Sequence, residues 1–372
     1  MKKKIISLVL ATVLAVGCLA GCGSSNTTSG KGYEIALITD KGNIDDKSFN
    51  QGSWEGVLAY TEKNNITHQY YKPEEASDEG YFNAIKLAVE GGAKVIVCPG
   101  YLFEAAVYSA QTQFPDVKFV LLDGEPHTPD YVTYETKSNT ACIMYAEEEA
   151  GYLAGYAAVV DGCTTLGFEG GMAVPAVVAF GYGYLQGIEA AATDLGLADG
   201  SVKVFYHYTG DFAETDANKA VASAMAASGA QVIFGCGGSV GKSVFAATSE
   251  ANIKSIGVDV NQKADSDTVI TSAMKGLGAS VEAVLDSIYT DKFDIYAGKT
   301  TYFTAANDGV GLPDDFERFT TFDKATYDKV YATLADGTVD PIRSFEITDA
   351  AAVTAEQLQT ELGLKKVVVE IR

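Results

Sequence analysis

The stretch from Ile35 to Trp54 reads I-A-L-I-T-D-K-G-N-I-D-D-K-S-F-N-Q-G-S-W and carries the densest set of chemically useful side chains in the sequence. An apolar run, Ile35 to Ile38, ends at Asp40, a polar loop with a glycine follows, and Ser48, Phe49 and Asn50 then open an amphipathic helical pattern. A carboxylate at a strand's carboxyl end, beside an aromatic ring at the next helix start, makes a ligand corner in open α/β sheets. Asp123 and Asp259 stand in the same position behind the apolar runs Lys118 to Leu122 and Ser255 to Val258. If these carboxylates gather in one cleft they need hydrogen-bond donors, which the hydroxyl or N–H groups of a polar ligand would supply.

The elements that must position these aspartates are short apolar runs alternating with longer helical patterns. Strands are expected at 35–38, 94–98, 118–122, 202–208, 231–235 and 255–258, with helices at 49–63, 81–90, 102–114, 217–228 and 240–251. This alternation is the mark of βαβ units and parallel sheets. A weak internal repeat suggests two similar lobes. Asn83 to Gly100 aligns with Ala220 to Gly237, pairing Gly92 with Gly229, Val95 with Val232 and Gly100 with Gly237. In each copy a helix ends at a glycine and a buried strand follows. The following strands reach Asp123 and Asp259 within one residue of the same spacing.

Lys2, Lys3 and Lys4 precede an apolar stretch, Ile5 to Ala20, which is too short to span a bilayer and has the form of a secretory leader. It ends Leu19-Ala20-Gly21-Cys22, the pattern of a lipoprotein cleavage site, so residues 1–21 are expected to be removed and Cys22 acylated. Residues 22–32 then form a small, polar tether to the membrane. With the leader's three lysines removed, 24 of the 27 basic residues face 49 acidic ones, a net charge of −25. Such a surface repels nucleic acid. Only three arginines occur, Arg318, Arg343 and Arg372, and arginine forks are the usual clamps for phosphate and carboxylate. Their scarcity favours an uncharged ligand.

No metal or other cofactor is expected. Cys98, Cys142, Cys163 and Cys236 lack metal-ligand spacing, and His68, His127 and His207 lie far apart. A Cys142–Cys163 disulfide is one possibility in an exported protein. Cys236-Gly237-Gly238-Ser239-Val240-Gly241-Lys242-Ser243 nearly spells a phosphate-binding loop, but cysteine replaces its first glycine and the candidate aspartate strand precedes it. Lys242 is therefore expected to be an exposed helical residue. The carboxylates come singly, with no histidine or serine placed to act with them, so enzymatic chemistry is not expected.

The Ile35–Trp54 block resembles the opening motif of the basic membrane protein family, the PnrA-like nucleoside-binding lipoproteins of ABC transporters. Five further blocks resemble the family in order: Glu148 to Gly155, Gly167 to Pro175, Gly210-Asp211-Phe212, Ile256 to Gln262 with Thr271 to Lys275, and Asn307 to Leu312. The resemblance implies a type I periplasmic-binding-protein fold, in which two doubly wound parallel-sheet lobes trap one nucleoside, a purine by preference. The lobes would comprise residues 33–140 with 276–318, and 141–275 with 319–372. Carried over, Phe49 and Phe212 would sandwich the base, with Phe180 a further candidate, and Asp123 would hold the base edge. Asp259 and Lys275 would hold ribose hydroxyls, Asp40 and Asn50 would complete the cradle, and Gly237 would let the backbone approach. The implied partners are an ABC permease and, through Cys22, the outer face of the cytoplasmic membrane, with the protein a monomer. The chain departs from the family at Gly235 to Gly241, at Phe180-Gly181-Tyr182-Gly183-Tyr184 and at Gly276. A sugar-binding protein of the same fold, or a sensing or adhesive lipoprotein, are the alternative readings. The role of residues 354–372 stays open.

Overall fold

The computed structural model describes residues 32–372; the leader, Cys22 and most of the tether lie outside the described residues. In chain order, β1 (Ile35–Ile38), α1 (Phe49–Asn64), β2 (His68–Tyr71), α2 (Asp78–Glu90), β3 (Val95–Pro99), α3 (Glu104–Gln113), β4 (Lys118–Leu122) and β5 (Thr140–Tyr145) come first. There follow α4 (Glu147–Val160), β6 (Thr165–Gly170), α5 (Pro175–Asp194), β7 (Val202–Tyr208), α6 (Asp216–Ala227), β8 (Val232–Cys236), α7 (Val240–Ala251), β9 (Lys254–Asp259) and β10 (Val269–Lys275). The last part holds α8 (Leu277–Tyr289), β11 (Lys299–Phe303), β12 (Val310–Gly311), α9 (Lys324–Ala335), α10 (Ala355–Glu361) and β13 (Val367–Ile371).

Two sheets result, ordered β11-β5-β4-β3-β1-β2 and β12-β10-β9-β8-β6-β7-β13. Every pairing is parallel except β10 with β12. The five-strand cores match one for one, with β1 to β5 in the order taken by β6 to β10. This is the type I periplasmic-binding-protein architecture, with helices covering the sheets and the ligand face at the strands' carboxyl ends. The central strands are near-continuous apolar runs because both their faces are covered: Ile35 to Ile38, Ile96, Val97 and Phe119 to Leu122 are fully buried. The lobe boundary expected at residue 140 falls on the first residue of β5, which belongs to the six-stranded sheet.

Backbone conformation repeats between the sheets along with strand order. Gly92 and Gly229 end their helices with φ of 100° and 98°, and Gly100 and Gly237 follow their strands with φ of 122° and 134°. Asp123 and Asp259, just after β4 and at the end of β9, share the left-handed region at 55° and 66°. Non-glycine residues seldom adopt that conformation, aspartate and asparagine more readily than most.

Helices α4 and α5 touch backbone to backbone. A Cβ on Gly183 would lie 2.0 Å from the Glu148 carbonyl oxygen, and one on Gly187 would lie 2.0 Å from that of Tyr152. Of the two glycines in the Phe180–Tyr184 stretch, Gly183 thus serves helix packing, whereas Gly181 makes room for the sheet, where a Cβ would lie 2.1 Å from the Tyr206 hydroxyl oxygen. Cys98, Cys142, Cys163 and Cys236 are all free and buried, so the Cys142–Cys163 disulfide does not form. Residues 354–372 pack on the second sheet, where β13 adds to β7 as a parallel edge strand. No helix among the described residues is long and apolar enough to cross a membrane.

Candidate ligand-binding site

The carboxyl ends of the two sheets face one cavity, lined by residues from both. Asp40, Phe49, Asn50, Asp123, Phe180, Phe212, Gly237, Asp259 and Lys275 all line it. The nine residues singled out from the sequence therefore share one wall-to-wall space. Lys242 lies in α7 as expected but is half-buried rather than exposed, and it is not among the lining residues.

The first wall is the loop between β1 and α1. Asp40 Oδ1 accepts from the Gly42 amide at 2.7 Å and from Asn50 Nδ2 at 2.8 Å. Desolvation in the cavity outweighs these bonds and lifts the Asp40 pKa to about 6. Asp46 accepts from the amides of Ser48 at 2.8 Å, Asn50 at 3.1 Å and Gln51 at 3.1 Å. It thereby caps α1, where a negative charge also suits the helix dipole. Ser48 Oγ donates across the cleft to Asp259 Oδ2, and Gln262 Nε2 donates to the Lys47 carbonyl at 2.7 Å. The two walls are thus bonded to each other.

Lys275, the last residue of β10, is the only cation among the lining residues described. Its side chain is 2 % exposed, with Nζ 2.5 Å from Asp123 Oδ2, 3.0 Å from Glu147 Oε1 and 3.9 Å from Asp259 Oδ1. Burial acts to lower its pKa; the three carboxylates outweigh burial and hold the ammonium charged. Burial pushes Asp123 up to about 7 against the pull of Lys275, and raises Asp259 as well. Glu147 differs: burial acts to raise it, but Lys275 and Arg343 together hold its pKa below the usual value. The ammonium also lies over aromatic faces, 4.7 Å from the Phe49 centroid and 5.3 Å from that of Phe180.

Phe180 is anchored edge-on against Phe234, with centroids 6.1 Å apart at 89°. Phe212 lies along the glycine turn after β8: a Cβ on Gly237 would come within 3.1 Å of its ring, and one on Gly238 within 3.2 Å of its Cβ. Close approach by Phe212 adds to positive φ in favouring glycine there. No group of three or more His, Cys, Asp or Glu placed to hold a metal occurs among the described residues. His127 is buried against Glu104 at 3.1 Å, away from the cavity lining.

A sequence profile described as ABC transporter substrate-binding protein PnrA-like matches residues 34–336. The chain belongs to this PnrA-like family. It is 30 % identical over 340 residues to the ABC transporter nucleoside-binding protein BmpA of Lactococcus lactis, covering 84 % of this chain and 92 % of that protein. Basic membrane protein A of Borreliella burgdorferi is 29 % identical over 285 residues, covering 76 % of this chain and 78 % of that one. Among solved structures, an ABC transporter solute-binding protein from Aeropyrum pernix K1 superposes with a TM-score of 0.74 at 20 % identity, covering 88 % of this chain and 98 % of that one. A PnrA-like protein is the substrate-binding component of an ABC transporter and not an enzyme.

Three contributors to this PnrA-like site escaped sequence reasoning. Asp46 sits in the quoted opening block, and its place two residues before Ser48 at a helix start was the available signal. Glu147 leads the acidic triplet Glu147-Glu148-Glu149 opening α4, a pattern equally at home on a solvated helix end. Arg343 lies outside the family match, and nothing in its local sequence points to the cavity.

Proposed function

We propose that this chain captures a nucleoside, with purines favoured, between its two sheets and delivers it to an ABC permease. It would do so as a monomer outside the cytoplasmic membrane, held there by an acylated Cys22. The observation that carries the reading is the cavity's chemistry: aromatic faces at Phe49, Phe180 and Phe212 together with Asp40, Asp46, Asp123 and Asp259, against the single cation Lys275. Flat bases suit the rings, each good stacking contact contributing roughly 1–3 kcal/mol. Ribose hydroxyls and base N–H groups supply the donors that the carboxylates need, whereas a nucleotide's phosphates would meet like charge. The relative named as nucleoside-binding supports the same ligand class.

In this reading Asp123, whose Oδ1 is buried without a hydrogen-bond partner, takes the base edge. Asp259 and Lys275 hold the ribose, Phe49 and Phe212 flank the base with Phe180 closing the pocket floor, and Asp40 with Asn50 completes the cradle. The two sheets with their helices act as lobes that hinge at the crossovers. Thermal unfolding against nucleosides, free bases, ribose, hexoses and nucleotides tests it. A ligand bound only by the native state adds about 2.7 kcal/mol at a hundredfold excess over Kd. Stabilisation by inosine, guanosine or adenosine and not by their nucleotides is expected. Stabilisation by sugars alone would transfer the protein to sugar binding, and no stabilisation at all would refute capture of this ligand class.

A further inference from the structure

We infer that Arg343, on the segment joining α9 to α10, is a positioning residue for the nucleoside site, occupying Glu147 so that Lys275 stays directed at Asp123 and Asp259. The inference rests on the proposed nucleoside reading and reaches into a part of the chain beyond the family match at 34–336.

The segment carrying Arg343 is pinned in place. The Ile342 amide donates to Gln186 Oε1 at 2.8 Å, Gln186 Nε2 donates back to the Ile342 carbonyl at 2.9 Å, and Phe345 stacks on Tyr182 with centroids 4.8 Å apart at 4°. From that base Arg343 Nη1 donates to the Tyr145 carbonyl at 2.6 Å and to Glu148 Oε2 at 2.8 Å, while Nη2 lies 2.7 Å from Glu147 Oε2. Glu147 is fully buried, and its other oxygen lies 3.0 Å from Lys275. Charges therefore alternate from the segment into the cavity: Arg343, Glu147, Lys275, Asp123.

The groups facing Glu147 are Lys275 from β10, Arg343, Glu148 from its own helix, Asp123 after β4, Asp259 from β9, the Tyr145 phenol and the Cys236 thiol. Only two of these are cations. Without Arg343, Glu147 has one source of positive charge left, and it competes with Asp123 and Asp259 for the single ammonium. A fully buried carboxylate has two escapes from that deficit: it draws Lys275 to itself, or it takes up a proton. The first withdraws Lys275 from the cavity. The second, favoured as pH falls, releases it again.

Two measurements test this. Binding of inosine and guanosine to the wild type, Arg343→Met and the double variant Arg343→Met/Glu147→Gln is followed by calorimetry from pH 5.5 to 8.5. Arg343→Met is expected to weaken binding roughly tenfold or more at pH 8, the loss shrinking towards pH 5.5, and Glu147→Gln to restore most of it. An unchanged Kd, or a loss independent of pH that Glu147→Gln leaves unrepaired, overturns the inference, since the latter is what a mere anchor for the segment would produce. In the ligand-free protein, the ¹³C-carboxyl resonance of Glu147, assigned by its absence in Glu147→Gln, is expected to stay flat across this range in the wild type and to titrate in Arg343→Met. Absence of that titration refutes the role even if inosine and guanosine fail to bind the wild type, an outcome that would separately sink the nucleoside reading.

Discussion

Replacing Lys275 by Met keeps the length of the buried stem and removes the charge, leaving Asp123 and Asp259 facing each other with no ammonium between them. Lys275 contacts three carboxylates with a side chain 2 % exposed, so solvent screens little of the loss. Removing one partner of a buried pair costs about 3–5 kcal/mol. At roughly 2–4 °C per kcal/mol, the melting temperature of the ligand-free protein should fall by about 6–20 °C near pH 8. The deficit should depend on pH in a definite direction. Asp123 in the folded wild type titrates at about 7, above its ordinary value of 3.8, so the folded form binds more protons than the unfolded chain between those values. Its contribution to stability is full below the lower value and is lost as pH rises through the upper one. Without Lys275 opposing burial, Asp123, Asp259 and Glu147 all move higher, and the loss continues to more alkaline pH. The deficit of Lys275→Met relative to wild type should therefore shrink as pH falls from 8 to 5. Thermal unfolding of both proteins at half-unit steps reads this directly, and a deficit that is flat across the range would refute the pairing of Lys275 described here.

Other perturbations have equally definite outcomes. Burial holds Asp40 at about 6, so nucleoside affinity of the wild type should decline as pH falls through that value, and Asp40→Asn should show a smaller decline, Asp123 at about 7 supplying the remainder; calorimetry at pH 5 and 7.5 that finds the same decline in both proteins would remove Asp40 from ligand contact. Gly183→Ala places a Cβ 2.0 Å from the Glu148 carbonyl oxygen and should cost about 1–3 kcal/mol or more by forcing α4 from α5; an unchanged melting temperature would contradict the helix contact. The four free cysteines are buried and their thiols are held above the usual range by burial, so a thiol-specific reagent should label them only in denaturant. Labelling of Cys142 or Cys163 in the native protein would show that this part of the core opens.

Legibility from sequence followed the range of the interactions. β1, β4, β7 and α7 have the ends that their apolar periods and flanking residues suggest, because buried strands and capped helices are local patterns. β10, reading V-I-T-S-A-M-K, mixes small polar residues into its run and was visible only through the family motif. β13 reads V-V-V-E-I, yet its role was undecidable because nothing nearby names β7 as its partner. The site divides in the same way. The three aspartates were legible because a carboxylate after an apolar run marks a strand's carboxyl end. The link from Arg343 through Glu147 to Lys275 joins three distant elements and leaves no trace in local sequence. Arginine scarcity pointed to an uncharged ligand, and Arg343 is consistent with that, since its guanidinium is taken up by Glu147, Glu148 and the Tyr145 carbonyl.

The matched strand orders explain why one lysine can couple both halves of the cavity. Asp123 and Asp259 stand at equivalent points of the two sheets, each turned by the same left-handed backbone toward the space between them. Lys275 ends β10, the strand from which the chain crosses from the second sheet to α8, and α8 packs beside α1 of the first, with a Cβ on Gly56 only 2.7 Å from the Gly278 carbonyl oxygen. The ammonium therefore sits at a crossover, bonded to the aspartate of the opposite sheet at 2.5 Å and nearer than 4 Å to that of its own. In the proposed capture cycle, separating the sheets pulls Asp123 from Lys275 and exposes both to water, which favours the charged forms of each. Closure must desolvate them again, and a nucleoside whose hydroxyls and N–H groups donate to the aspartates offsets that cost. A ligand lacking those donors does not, and on this account selectivity arises in the closing step as well as in the fit of the base between its rings.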